Sequence, residues 1–214
     1  MAGVSYSKVQ EYLNSLVPRR DPELAAMEEF AARTGFPIIG PAAGYFGYQV
    51  ARMIGARHVF EMGSGYGYST AWFAKAVKEN GGGEVHHVVW DDKLSERAVG
   101  HLSRLGLEEL VQFHVAEAVG RLRQMPGPFD LIFSDIEKPD YPGSLPAIKE
   151  KLRPGGVLII DNMLWSGRIF DRGDRTTATQ GIREFTKAVT TDPDWIVTLA
   201  PIRDGMIIAY RKSA

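Results

Sequence analysis

The sequence contains no cysteine among its 214 residues. This absence excludes disulfide bonds and thiolate metal sites, and it is compatible with a reducing cytoplasm. No apolar run reaches the ~18 residues that a membrane-spanning helix needs. The N-terminal segment, MAGVSYSKVQEYLNSL, is polar and amphipathic, so it lacks the apolar centre of a signal peptide. The sequence therefore predicts a soluble, cytoplasmic protein without a membrane partner.

An excess of one charge sign is also missing, since the formal net charge is −1. The chain thus offers no general electrostatic attraction to nucleic acid, and no nucleic-acid partner is expected. Hydrophobic residues make up 44% and charged residues 24%, which are ordinary values for a globular domain with its own core. No repeat or low-complexity tract divides the chain, so a single domain over residues 1–214 is predicted.

Short apolar segments alternate with amphipathic segments from residue 58 onwards. The segments with strand character are HVFEM, VHHVVW, VQFHV, FDLIFS and VLIID, at residues 58–62, 85–90, 111–115, 129–134 and 157–161. Segments with helical character lie between them, at residues 68–79, 93–104, 117–124 and 143–152. Strands that alternate with helices at this spacing are typical of βαβ units and predict a parallel sheet.

The N-terminal part of the chain has a different pattern, because the first 55 residues have helical periodicity throughout. Asp21 followed by Pro22 predicts a helix start, with the acid as N-cap and the proline in the first turn. A further helix is predicted at residues 41–54. The N-terminal segment is therefore expected to be helical up to residue 55.

The C-terminal part ends in a predicted hairpin. A helix near residues 178–190 precedes WIVTLA and GMIIAYRK, which are separated only by residues 201–204 and should be antiparallel to each other. The predicted fold class is α/β: a Rossmann-like, doubly wound, mostly parallel seven-stranded sheet with a C-terminal antiparallel hairpin and N-terminal helices. The core of this fold is assigned to residues 56–214, after the helical segment 1–55.

A glycine-rich turn follows the first predicted strand. The stretch FEMGSGYGYST carries Gly63, Gly65 and Gly67 directly before the next helix. Glycine permits positive φ and close approach of a ligand to the backbone, and a helix start presents free N–H groups. The G-x-G-x-G spacing differs from the G-x-G-x-x-G of dinucleotide sites, and Glu61 suits an amino group better than a pyrophosphate. An ordinary tight turn is the alternative interpretation.

The stretch from Glu61 to Ser69 resembles the first motif, E-x-G-x-G-x-G, of the class I S-adenosylmethionine-dependent methyltransferases. Its form is similar to that in the catechol and caffeoyl-CoA O-methyltransferases. The resemblance implies that Gly63, Gly65 and Gly67 lie against the methionine part of S-adenosylmethionine. It further implies that Ser69 meets the cofactor's carboxylate, and Glu61 is assigned to the same site.

The second predicted strand departs from the family's pattern. Members typically end this strand with an acid that holds the ribose hydroxyls, whereas Val89 stands at that position and Trp90 follows. Either Asp91 reaches the ribose after a local shift, or backbone and water hold the ribose. Asp91 is assigned to the cofactor site, with N-capping of the next helix as the alternative. The resemblance implies that three residues after the third strand cover the adenine ring: Ala116, Glu117 and Ala118.

Acidic side chains follow the fourth and fifth predicted strands. FSDIEKPDY places Asp135 after one strand, and VLIIDNMLW places Asp161 and Asn162 after the next. The carboxyl ends of neighbouring parallel strands meet at the edge of the sheet where ligands of open α/β folds bind. Two carboxylates and an amide oxygen are hard donors that suit Mg²⁺, Mn²⁺ or Ca²⁺. A divalent-cation site is therefore predicted, with a solvated charged loop as the alternative.

The motifs DxxKxxY and DNxLWxG occur in that order and resemble those of the cation-dependent O-methyltransferases. This similarity extends from about residue 36 to the C-terminus. It implies that Asp135, Asp161 and Asn162 bind the metal and that Lys138 lies beside the acceptor hydroxyl. Asp135 is also assigned to catalysis with Lys138 and to cofactor contact with Glu137.

Methyl transfer accounts for these residue types. The reaction is an in-line displacement at a sulfonium carbon, so the acceptor is best held as an oxyanion. A metal chelated by two vicinal hydroxyls lowers their pKa and orients them. A divalent cation nearby disfavours the ammonium form of Lys138, which could then act as general base. The alternative for Lys138 is a surface charge paired with Glu137 or Asp140.

The sequence thus predicts a metal- and S-adenosylmethionine-dependent O-methyltransferase for a vicinal dihydroxy-aromatic small molecule. Residues 36–48, the loop 165–175 and the N-terminal helices are expected to shape the acceptor pocket, and the resemblance implies a homodimer. One alternative is a methyltransferase for an amine, a peptide or RNA. The other is a non-catalytic scaffold of the same fold, which only the missing second-strand acid supports.

Overall fold

Three helices precede the sheet in the computed structural model, which describes residues 5–213. They are α1 (Tyr6–Ser15), α2 (Pro22–Thr34) and α3 (Gly40–Met53). The predicted start of α2 is confirmed, because the Asp21 carboxylate accepts a hydrogen bond of 2.8 Å from the Glu23 amide. Gly35 ends this helix in the left-handed conformation, with φ at 72°, which glycine adopts at little cost.

Seven strands form one sheet in the order β3-β2-β1-β4-β5-β7-β6. The strands are β1 (His58–Met62), β2 (Glu84–Val89), β3 (Val111–Val115), β4 (Phe129–Ser134), β5 (Leu152–Ile160), β6 (Trp195–Ala200) and β7 (Met206–Arg211). Strands β1 to β5 pair in parallel, and β7 runs antiparallel to both β5 and β6. The predicted α/β class, mostly parallel sheet and C-terminal hairpin are confirmed.

Helices cover both faces of this sheet. They are α4 (Tyr68–Glu79), α5 (Asp92–Arg104), α6 (Ala118–Gln124), α7 (Tyr141–Lys151) and α8 (Thr177–Thr191). Neighbouring strand residues alternate between two hydrophobic cores: Leu131 packs in the core that includes α2, α3 and α4, whereas Ile132 packs in the core with α7 and α8. Burial on both faces explains why the strands read as continuous apolar runs. Among residues 5–213, no helix is long and apolar enough to cross a membrane.

The ends of some elements differ from the sequence-based boundaries by a few residues. Helix α7 begins at Tyr141 instead of residue 143, because Pro142 fits the first turn, where its missing N–H is not needed. Asp140 occupies the N-cap position of α7, although its side chain makes no capping hydrogen bond. Strand β5 begins five residues earlier than predicted, at Leu152, because the segment with Pro154 also runs along β4.

The order of the strands creates a crevice where β1 and β4 are neighbours. Successive connections lead away from β1 on one side and from β4 on the other, so the loops at their carboxyl ends separate. The ladder of hydrogen bonds between strand backbones continues for one residue beyond the ends of β4 and β5. The Asp135 amide donates to the Met62 carbonyl at 2.9 Å, and the Asp161 amide donates to the Ser134 carbonyl at 3.1 Å. Both carboxylates are thereby anchored to the sheet.

Candidate active site

A cleft of about 600 Å³ opens at the carboxyl edge of the sheet, above β1, β2 and β4. Most of the predicted site residues line it: Gly63, Gly65, Ser69, Ala116, Glu117, Ala118, Asp135, Glu137, Lys138 and Asn162. The cleft therefore collects residues from the glycine turn, the end of β3 and the loop after β4. Glu61, Gly67, Asp91 and Asp161 are the predicted residues that do not line it.

The glycine turn needs its glycines for two different reasons. At Gly63 φ is +83°, and an added Cβ would lie 2.4 Å from the Asp135 carbonyl oxygen, so only glycine lets β1 and the β4 loop approach. At Gly67 φ is +91°, and a Cβ would lie 2.9 Å from the Ala98 Cβ on α5. Gly63 thus shapes the cleft, whereas Gly67 allows α4 and α5 to pack. The predicted cofactor contact of Gly67 stays a prediction.

Glu61 lies beneath the turn, fully buried, instead of facing the cleft. The Thr70 hydroxyl donates a hydrogen bond to its carboxylate, and the same hydroxyl oxygen is 2.9 Å from the His87 Nδ1. Burial raises the pKa of Glu61 to about 7, although the hydroxyls of Ser69, Thr70 and Ser64 oppose this shift. Glu61 therefore belongs to a buried polar network under the cleft.

The raised pKa of Glu61 predicts a pH effect on stability. Between the ordinary value of 4.5 and about 7, the folded protein binds more protons at Glu61 than the unfolded chain does. The free energy of unfolding should therefore fall as pH rises through this window, and Glu61→Gln should remove that component. Urea unfolding of both proteins from about pH 5 to about pH 8 measures it. Exposed Glu109→Gln is the control, and curves of equal slope for wild type and Glu61→Gln would contradict the prediction.

Asp91 caps helix α5, because its carboxylate accepts a hydrogen bond of 3.0 Å from the Leu94 amide. N-capping was the alternative interpretation for Asp91, and this is the contact that its side chain makes. Trp90, next to it, lines the cleft and is 80% exposed. Sequence reasoning assigned Trp90 no role, although a tryptophan at the open end of a strand is a signal for a binding surface.

Glu117 lines the cleft and also caps α6 through the amides of Val119 and Gly120.

Asp161 is completely buried at the end of β5. Its Oδ2 accepts a hydrogen bond from the Arg203 guanidinium, whereas its Oδ1 has no hydrogen-bond partner. Burial, with the negative charge of Asp135 as the second cause, raises the pKa of Asp161 to about 7. The neighbouring Asn162 has a positive φ of 62°, and its amide nitrogen lies 3.4 Å from Asp204 Oδ2.

Lys138 is held beside these acids. Its Nζ is 2.8 Å from Asp135 Oδ1 and donates to the Ile136 carbonyl at 3.0 Å. The ammonium also lies 5.7 Å from the centre of the Trp165 ring, and 13% of the side chain is exposed. The pairing with Glu137 or Asp140 that a solvated surface lysine would make is replaced by this ion pair with Asp135.

A second cavity, of about 890 Å³, adjoins the cleft. It is lined by α1, by residues 38–43, by the turn 164–170 and by the connection between β6 and β7. Five residues line both spaces and form the wall between them: Ile38, Ile39, Asn162, Trp165 and Arg203. The segments predicted to shape an acceptor pocket therefore do meet beside the acidic edge, the part of the sheet edge that carries Asp135, Asp161 and Asn162. Arg203 was not predicted, because the sequence contains no local signal that its loop reaches Asp161.

The acidic edge has the donor types for a hard divalent cation. Within residues 5–213 no three His, Cys, Asp or Glu side chains form a metal-binding group, so the candidate set is two carboxylates and one amide. The unpartnered Oδ1 of Asp161 is costly in a buried position, and a cation would satisfy it. The residues present thus fit a metal site built from Asp135, Asp161 and Asn162.

Comparison with known sequences gives a family match over most of the chain. Residues 20–212 match the family model described as O-methyltransferase. A catechol O-methyltransferase from Niastella koreensis is 31% identical over 218 residues, which cover 97% of this chain and 98% of that protein. A catechol O-methyltransferase from Mycobacterium tuberculosis is 31% identical over 178 residues, which cover 82% of this chain and 80% of that protein.

Comparison with solved structures gives the same fold over nearly the whole length. An O-methyltransferase from Bacillus cereus, solved in complex with SAH, has a TM-score of 0.86 and 28% identity, covering 96% of this chain and 97% of that chain. An O-methyltransferase of tomaymycin synthesis from Streptomyces achromogenes, solved in complex with SAM, has a TM-score of 0.85 and 27% identity, covering 96% of each chain.

Proposed function

This chain belongs to the S-adenosylmethionine-dependent O-methyltransferase family, and we propose that it methylates one hydroxyl of a vicinal dihydroxy-aromatic small molecule with the aid of a divalent cation. The observation that carries the proposal is the place where the two cavities meet. Asn162 and Trp165 line both, and Lys138 lies between Asp135 and the Trp165 ring. The catechol O-methyltransferases among its relatives favour a catechol-type acceptor.

We assign the cofactor to the cleft of about 600 Å³. When bound there, S-adenosylmethionine supplies the methyl group on its sulfonium. Gly63, Gly65 and Ser69 take the methionine part, where the backbone at Gly63 approaches the β4 loop closely. The segment from Ala116 to Ala118 lies at the adenine end. Because Val89 offers no carboxylate and Asp91 is engaged as a helix cap, backbone and water hold the ribose.

We assign the divalent cation to Asp135, Asp161 and Asn162. When bound there, the cation supplies Lewis acidity that lowers the pKa of the acceptor hydroxyls. The unpartnered Oδ1 of Asp161 and the oxygen chemistry of all three side chains support this assignment. The ladder hydrogen bonds of the Asp135 and Asp161 amides hold the backbone of the two acids in fixed positions.

Lys138 is assigned as the general base. Starting as the neutral amine, Nζ takes the proton of the acceptor hydroxyl and becomes the ammonium paired with Asp135, so that the oxygen attacks the methyl carbon as an oxyanion. Trp165 limits water access on one side of Nζ and separates the acceptor cavity from the cofactor cleft. Ile38 and Ile39 offer an apolar surface for the aromatic ring of the acceptor.

Methylation of catechol and of phenol, each with and without chelator, tests the proposed function. Catechol should be methylated and phenol should not, because only vicinal hydroxyls can chelate a cation. Chelator should lower the rate with catechol at least about 100-fold, and Mg²⁺ or Mn²⁺ should restore it. Equal rates of methylation for catechol and phenol, or full activity in excess chelator, would contradict the cation's role. Absence of S-adenosylmethionine binding in calorimetry would favour a non-catalytic scaffold.

A further inference from the structure

Asp161 already has a positively charged partner within the chain. Arg203 Nη1 donates to Asp161 Oδ2, and this is the ion pair that the fully buried Asp161 carboxylate makes among residues 5–213. The guanidinium itself is only partly covered, with 26% of the side chain exposed. A buried carboxylate needs a counterion, and Arg203 supplies one on an oxygen of a proposed metal ligand.

The backbone at Arg203 is held in a conformation that its residue type disfavours. Its φ is 52°, in the left-handed region where a side chain with a Cβ is crowded. Contacts from α1 and from Asp161 stabilise it: the Arg203 amide donates to Gln10 Oε1 at 2.6 Å, and the Tyr6 hydroxyl donates to the Arg203 carbonyl. Hydrogen bonds from α1 thus hold the backbone of the β6–β7 connection at Arg203, whereas Asp161 holds the guanidinium.

Asp204, the next residue, holds the β6–β7 connection with two more hydrogen bonds. Asp204 Oδ1 accepts from the Ser166 amide at 2.6 Å, and its carbonyl accepts from the Leu164 amide at 2.7 Å. With the backbone fixed on both sides, the long arginine side chain can change its rotamer without moving the connection between β6 and β7. The side chain lines the cavity of about 890 Å³, which has room for it when it leaves Asp161.

We propose that Arg203 is an internal counterion that competes with the divalent cation for Asp161. In the metal-free protein the guanidinium neutralises Asp161 through Oδ2; a cation at the unpartnered Oδ1 would repel the guanidinium across the same carboxylate and displace it into the acceptor cavity. The inference rests on the metal site of the proposed function. It implies that Arg203 lowers the affinity for the cation and stabilises the metal-free fold, because two cations cannot share one carboxylate at short range without repulsion.

Mn²⁺ affinity, measured by electron paramagnetic resonance, tests the competition without any turnover. Arg203→Gln should bind Mn²⁺ at least about tenfold more tightly than wild type, since no buried ion pair has to be opened. Arg203→Lys keeps the charge and should stay closer to wild type. Exposed Arg123→Gln is the matched charge-loss control, and its affinity should be unchanged. In chelator, Arg203→Gln should unfold at a lower temperature than wild type, and saturating Mn²⁺ should narrow the difference.

A measurement on the wild-type protein covers the case in which a variant does not fold. The Nε–H resonance of Arg203 should shift during a Mg²⁺ titration in step with binding, since the guanidinium leaves Asp161. Cation binding without this shift, or equal affinity of wild type and Arg203→Gln, would overturn the competition while leaving the metal site intact. If neither protein binds the cation and Asp161→Asn makes no difference, the metal site itself fails and the inference fails with it.

Discussion

Replacing Asp161 by asparagine is expected to lower kcat/KM for a catechol by about a thousandfold. A cation that stabilises developing charge contributes several kcal/mol to the transition state, and each 1.36 kcal/mol is a factor of ten in rate. Asparagine keeps the volume and one acceptor oxygen but removes the charge that would hold the proposed cation. The fold should persist, because asparagine keeps an oxygen that can accept the hydrogen bond from Arg203. Steady-state kinetics and circular dichroism of the same preparation measure both effects.

Asp130→Asn is the matched control for this substitution. Asp130 stands near the start of β4, at the opposite edge of the sheet, and binds the amides of Arg57 and His58 together with the Arg153 side chain. Its loss should lower the free energy of unfolding and leave kcat/KM nearly unchanged. A variant Asp161→Asn that retains activity within about tenfold of wild type would contradict the role of Asp161 as metal ligand.

Replacing Lys138 by methionine is expected to lower kcat by about 10²–10⁴-fold, the usual contribution of a general base. Methionine preserves the aliphatic packing near Trp165 but cannot accept a proton. The Kd for S-adenosylmethionine should change little, because the Lys138 ammonium is engaged by Asp135 and lies beside Trp165, which also lines the second cavity. Single-turnover kinetics with calorimetry of cofactor binding separate the two quantities.

Lys138→Arg distinguishes proton transfer from electrostatics. Arginine keeps a positive charge next to Asp135 but stays protonated, so it cannot act as the base. Both variants should therefore be slow. A fully active Lys138→Arg protein would show that the ion pair with Asp135, rather than proton acceptance, is what the reaction requires.

The architecture was predictable from local patterns, because each βα unit has its own signal. Apolar runs of five or six residues, separated by amphipathic stretches, predicted β1 to β4 to within one residue. Asp135 and Asp161 were predicted to meet because parallel strands bring their carboxyl ends to one edge. The glycine turn at Gly63 was predicted from its spacing, and the close approach to the Asp135 carbonyl explains that glycine.

The details that sequence reasoning missed depend on contacts between distant segments or on side-chain direction. Arg203 reaches Asp161 only because the β6–β7 connection folds over the end of β5, and no periodicity encodes that approach. Glu61 lies in β1, which is buried on both faces. The strand therefore has no alternation of apolar and polar residues that would show in which direction the Glu61 side chain points. Asp91 makes the local capping contact that was its alternative, and its assignment to the ribose stays a prediction. The homodimer implied by the resemblance stays a prediction.

The ladder bonds that anchor Asp135 and Asp161 have a consequence for how this scaffold can diversify. The two acids belong to the rigid centre of the sheet, whereas the larger cavity is walled by α1, residues 38–43 and the turn 164–170. Mutations in those peripheral segments can reshape the acceptor space while the acids keep their positions. An evolving lineage, or a laboratory selection for new phenols, can therefore exchange the acceptor without rebuilding the chemistry.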